Sequence, residues 1–166
     1  KHQMVKLSVP VAVQQGVLTY DAPYSTIVRE ANGWEEPGQA WIDLSGVATT
    51  AHERPIPYGV SLLNDGKFGF DCLGSDLRMS LLRSPIYCFH APARVQAGQE
   101  YLYVDQGEQT IRYALLPHAG GWEEAGTVRE AQALLNPFVT VFQYAHPGRW
   151  DASGTMLAVE PANVMV

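Results

Sequence analysis

Two pairs of neighbouring carboxylates, Glu35-Glu36 and Glu123-Glu124, are the first residues whose type suggests chemistry. Cleaving a glycosidic bond needs an acid and a nucleophile or base facing each other across a cleft. Adjacent side chains diverge, so solvated surface charge is the plainer role for both pairs. Trp34, Trp41, Trp122 and Trp150 could each offer a ring to the apolar face of a sugar, although core packing is the commoner use of tryptophan. His2, His52, His90, His118 and His146 are far apart, and none has a histidine two or four residues away, so spacing gives no metal site. Cys72 and Cys88 form no Cys-x-x-Cys unit and read as buried thiols of a cytosolic protein. No glycine-rich phosphate loop, His-Glu-x-x-His or Gly-x-Ser-x-Gly motif is present. Residue types alone lead to a β domain that touches sugar, and no further.

The elements that would position these residues are short strands. Val5, Leu7, Val9, Val11 and Val13 alternate with Lys6, Ser8, Pro10 and Ala12, the period of a half-buried strand, with Pro10 marking an edge or bulge. Further strand-like runs cover 16–20, 25–30, 40–44, 58–64, 67–72, 76–83, 101–104, 110–116, 138–144, 155–159 and 163–166. Asn64-Asp65-Gly66 predicts a tight hairpin between the runs at 58–64 and 67–72, and Gly74-Ser75 predicts the next one. The stretch 47–57, with two prolines, reads as a loop. Glu123–Asn136 alone has helical spacing, through Val128, Ala131, Leu134 and Leu135, with Glu123 and Glu124 placed to complement the helix dipole and Asn136-Pro137 to end it.

Fifteen glycines and eleven prolines, scattered without repeat, fit many turns in an all-β sandwich or barrel with one excursion helix. A net charge of −6 without a basic run argues against nucleic acid and against an anionic membrane surface. No apolar run approaches the ~20 residues of a membrane-spanning helix, and the first residues do not resemble a signal peptide. Lys1 opens almost directly into a strand pattern, so residues 1–166 are expected to be one domain excised from a longer chain.

Three runs carry a family resemblance. Tyr58–Phe70 reads YGVSLLNDGKFGF, Leu77–Pro85 reads LRMSLLRSP, and Tyr113–Gly120 reads YALLPHAG with Trp122 close behind. In order and spacing they resemble signatures of the family 38 glycoside hydrolases, the α-mannosidases, in their bacterial and cytosolic branch. Weaker matches lie at Trp41–Ser45, Leu135–Pro137 and 159–164. The chain departs from the family at Tyr87-Cys88-Phe89-His90 and in the following loop, 91–100.

The resemblance implies a supersandwich-type β fold, similar to galactose mutarotase, from the C-terminal portion of a retaining enzyme that hydrolyses terminal α-mannosides. The nucleophile, the acid/base and the divalent metal (zinc or cobalt) of such enzymes belong to an N-terminal catalytic domain. No catalytic residue, metal ligand or cofactor is therefore expected in this chain. The implied partners are that catalytic domain and a mannose-containing oligosaccharide, in the cytoplasm, with self-association through the seam left by truncation. Residues of the C-terminal portion reach the sugar groove in distant members, which makes Arg83 the first substrate-binding candidate, with Asn64, Asp65 and Lys67 beside it. Two other readings stand against this one. The first is a free-standing carbohydrate-binding module. The second is a mutarotase-like epimerase using His118 as the acid, although its place after Leu-Pro favours packing.

Overall fold

The structure, a computed structural model, describes residues 3–49, 54–86, 96–149, 151, 153–155 and 157–160. His2, His52, Cys88, His90, Trp150 and the strand expected at 163–166 lie outside the described residues.

Among the described residues nine strands and one helix follow in the order β1 (Met4–Pro10), β2 (Gln14–Ala22), β3 (Ser25–Arg29), β4 (Glu36–Pro37), β5 (Trp41–Thr49), β6 (Pro55–Asn64), β7 (Gly69–Leu73), β8 (Asp76–Arg83), β9 (Tyr113–Ala119) and α1 (Thr127–Leu135). They form two antiparallel sheets, β1-β8-β7-β4 and β3-β2-β5-β6-β9. Alternation along each strand sends one set of side chains between the sheets. Leu18, Tyr20, Ile42, Leu44, Val60 and Leu62 of the larger sheet meet Phe70, Cys72, Leu77 and Met79 of the smaller one in a single buried core. The expected all-β sandwich is what the chain forms. Prolines sit on both edge strands of the smaller sheet, Pro10 on β1 and Pro37 on β4, where a missing N–H breaks no ladder bond.

The larger sheet is covered on its outer face as well. Ala131, Val128, Leu134 and Leu135 of α1 pack onto Trp41, Leu63, Ala114 and Leu116, with Trp122 beside them. This is the apolar stripe that the sequence predicts. The helix itself is shorter than 123–136. Its N-cap is Gly126 in a left-handed conformation, and Glu123 and Glu124 fall in the turns before it. Glu124 accepts the N–H of Gly121 there and so stabilises the approach to the helix, not its first turn.

Several expected elements differ. β6 and β7 belong to different sheets, so Asn64-Asp65-Gly66 makes a corner between layers and no hairpin. The Gly74 turn does join β7 to β8 as a hairpin, with Gly74 at φ +63°. β5 runs to Thr49 and β6 starts at Pro55, so strand pairing continues through most of the stretch read as a loop. Pro55 and Pro57 are tolerated because β9 pairs with β6 only from Tyr58 onward, leaving that side of the strand open. The run at 101–104 yields one isolated bridge, Ile86 to Tyr103. The runs at 138–144 and 155–159 form no strand among the described residues. Phe138, Val139, Val141, Phe142 and Tyr144 stand exposed, since alternation makes a segment competent for a sheet but only a partner strand makes it one. No described helix is long and apolar enough to cross a membrane.

Candidate functional site

Asn64 ends β6, and its side chain is consumed by the corner that follows. Its Nδ2 donates to the carbonyls of Gln39 (3.1 Å) and Ala40 (3.3 Å). Its Oδ1 accepts the N–H groups of Gly66 (2.9 Å) and Lys67 (2.5 Å). Such an Asx turn fixes the backbone that presents Asp65, Lys67 and Phe68. Asp65 accepts from Arg112 Nε at 2.6 Å, and this bond is the main cause holding its carboxyl below the ordinary value of 3.8. A small hollow of about 180 Å³ opens here between Asp65, Gly66 and Phe68 on one side and Asp21, Gln39 and Gln132 on the other.

Arg83 is placed elsewhere on the same end of the sandwich. It closes β8 in register with Met4 of the edge strand, and its backbone N–H donates to Asp105 at 3.3 Å. The side chain is exposed and lines a shallow depression of about 230 Å³ with Gln3, Met4, Ser84 and Pro85. Asn64, Asp65 and Lys67 share one connection. No hydrogen bond or ion pair among the described residues joins Arg83 to them.

Three further carboxylates are engaged in structure. On the outer face of the smaller sheet, Asp71 is fully buried and pairs with both Lys6 and Arg78. Glu35 receives Lys6 at 2.8 Å and Ser80 Oγ at 2.7 Å, and these bonds outweigh its partial burial and keep its carboxyl below the ordinary 4.5. Glu36 pairs with Arg29 at 2.6 Å. Burial pushes the Cys72 thiol up to about 11, which leaves it inert as a nucleophile.

A network under α1 has no counterpart in the sequence reading. Asp43 of β5, 0% exposed, accepts from Ser45 Oγ at 2.5 Å, Ser61 Oγ at 2.7 Å and His118 Nε2 at 2.8 Å. Ser61 spends its one proton on Asp43, so Thr127 at the start of α1 donates to Ser61, at 2.7 Å. The members are an aspartate, a histidine and a serine, but they do not form a catalytic triad. Ser61 Oγ lies 3.3 Å from His118 Nε2, but Nε2 directs its proton to the same Asp43 oxygen that Ser61 donates to and so has no lone pair for the hydroxyl. Ser61 is also fully buried. The His118 side chain is 6% exposed, so no sugar reaches it for acid catalysis. The network ties β5, β6 and β9 to the first residue of the helix. Gly59 belongs to it by omission, because a Cβ there would collide with His118 Cε1 and lie 2.6 Å from Ser45 Oγ. The alternation of polar residues Asp43, Ser45 and Ser61 with core residues was the only sequence signal for this cluster.

Among the described residues no three His, Cys, Asp or Glu side chains converge as a metal site would require. The described residues form a two-layer sandwich in which the buried Asp43 and Asp71 are held by partners on other strands. The chain belongs to the glycosyl hydrolases family 38 C-terminal domain, which it matches over residues 1–94. It is similar to human alpha-mannosidase 2C1, with 29% identity over 148 residues covering 84% of this chain and 12% of that protein. The alpha-mannosidase of Saccharomyces cerevisiae is 28% identical over 151 residues, covering 89% of this chain and 12% of the yeast protein. Alpha-mannosidase G of Dictyostelium discoideum is 26% identical over 145 residues, 82% of this chain and 11% of its own length. The chain thus spans about an eighth of the length of these relatives.

Proposed function

We propose that this chain is the non-catalytic β portion of an enzyme that hydrolyses terminal α-mannosides, and that it supports the catalytic domain and lines the sugar groove. The carrying observation is the similarity, over 82–89% of the chain, to three proteins named alpha-mannosidase. The site geometry agrees with a supporting role. Its buried carboxylates are committed to partners within the sandwich, while Arg83, Asp65 and Lys67 reach solvent from strand ends and a corner. Arg83 presents a planar fork of donors suited to a pair of vicinal hydroxyls. Asn64 holds the corner for Asp65 and Lys67. In this reading the nucleophile, the acid/base and the zinc or cobalt ion reside in the catalytic domain outside this chain, and the parent enzyme works in the cytoplasm. The exposed row from Phe138 to Tyr144 is a surface suited to association with that larger protein or with a second copy.

The test has two arms. The 166-residue chain should not turn over p-nitrophenyl α-mannoside, with or without added zinc or cobalt. In the parent enzyme, Arg83→Ala should lower kcat/KM by roughly ten- to a thousand-fold, ~1.4–4 kcal/mol, with little change in melting temperature. Turnover by the chain alone, or Arg83→Ala kinetics equal to wild type, would overturn the proposal.

A further inference from the structure

A broad, open groove lies on the helix side of the sandwich, and Arg83 is not among its lining residues. It measures about 680 Å³, within the ~300–1,000 Å³ usual for small-ligand sites, and is lined by Asp21, Tyr24, Thr26, Trp41, Trp122 and Gln132. Asp21 and Gln132 also line the small hollow beside Asp65, so the two spaces adjoin.

One wall is built against local preference. Tyr24 occupies the tip of the β2–β3 hairpin at φ +57°, in a turn with Pro23 before it, where glycine would carry no strain. Its side chain is fully exposed and contributes nothing to the core. A bulky residue held in a disfavoured conformation at the mouth of a cavity points to a task outside folding. Trp122 supplies a second ring, held by packing on Trp41 with centroids 5.0 Å apart. Trp41 is itself 1% exposed, and its indole N–H has no hydrogen-bond partner. Asp21 accepts the Ala40 N–H at 2.9 Å, and burial holds its carboxyl above the ordinary 3.8.

Two rings, a carboxylate, a side-chain amide and a hydroxyl are the groups that recognise a pyranose, its apolar face on the rings and its hydroxyls on the polar groups. We propose that this groove is a second mannoside-binding site, distinct from the depression lined by Arg83. The sugar class rests on the function proposed above; the groove itself rests on Tyr24, Trp41 and Trp122.

The test is titration of the nitrogen-15-labelled 166-residue chain with α-mannobiose, followed by amide and indole N–H resonances. Shifts are expected at Tyr24, Thr26 and Gln132 and at the indoles of Trp41 and Trp122. Tyr24→Gly should weaken binding at least ten-fold while its melting temperature stays level or rises, an outcome that a structural role for Tyr24 would not give. Gln132→Ala, on the helix surface, should also weaken it. Shifts confined to Asp65, Lys67 and Arg83 would overturn the groove and leave the role of those three residues intact. Absence of any shift at tens of millimolar sugar, or wild-type binding by Tyr24→Gly, would also overturn it. Arg83→Ala kinetics in the parent enzyme judge the other proposal independently.

Discussion

Gly59→Ala tests whether the Asp43 network fastens the helix to the sheet. The added methyl would overlap His118 Cε1 and lie 2.6 Å from Ser45 Oγ and 2.9 Å from His118 Nε2. The ring cannot simply swing aside, because Nε2 donates to the buried Asp43 at 2.8 Å and the side chain is only 6% exposed. Overpacking of this kind costs about 1–3 kcal/mol. Losing one donor to a buried carboxylate adds about 1.5–3 kcal/mol if the ring is expelled. The two costs are alternatives in part, since expelling the ring relieves the clash, so a total near 3 kcal/mol is expected. For a domain of this size that lowers the melting temperature by about 6–12 °C. Calorimetry on Gly59→Ala, His118→Ala and the double variant checks the cause. If the methyl acts through the ring, the double variant should be little worse than His118→Ala alone, a coupling of about 1–3 kcal/mol. Strictly additive losses, or a Gly59→Ala chain that melts like wild type, would refute the reasoning.

Asp71→Ala should destabilise by about 1–3 kcal/mol in urea unfolding, below the ~3–5 kcal/mol of a fully buried pair, because Lys6 and Arg78 keep about a quarter of their side-chain surface in water and Lys6 retains Glu35. Stability should also fall in acid. The carboxyls of Glu35 and Asp65 are lower in the folded chain than their ordinary 4.5 and 3.8, so their contribution is complete above those values and is lost as pH drops through the lowered ones. Arg112→Ala removes the chief cause at Asp65, so its small melting-temperature deficit near neutral pH should vanish well below pH 3.8. A deficit that persists there would separate Arg112 from the carboxylate.

Much of the sandwich was written locally. Leu7 and Val9 alternate with Lys6 and Ser8 because one face of β1 meets the core, whereas Val5, before a register shift, stands exposed. Val128, Ala131, Leu134 and Leu135 repeat because one face of α1 meets the outer sheet. Both patterns depend only on which side of an element is dry, so both are legible along the chain, as are the Gly74 hairpin and the stop at Asn136. The three family-like runs coincide with β6 and its corner, β8, and β9. Choice of partner is a different matter, because hydrogen bonds between strands join residues far apart in sequence. Asn64-Asp65-Gly66 carries hairpin chemistry, yet the strand after it pairs in the other sheet. The segment from Phe138 to Tyr144 has strand chemistry and finds no described partner. The polar groups followed the same division. Sequence marked Arg83, Asp65 and Lys67 as charged groups near turns, and the structure leaves them at the surface of one end. Asp43, Ser61, His118 and Thr127 stand 18 to 75 residues apart in their bonded pairs. Only the packing of β5, β6, β9 and α1 brings them within hydrogen-bond distance, and only the missing side chain at Gly59 makes room for the ring. The groove beneath Tyr24 likewise exists only because a helix late in the chain lies beside a hairpin made early in it.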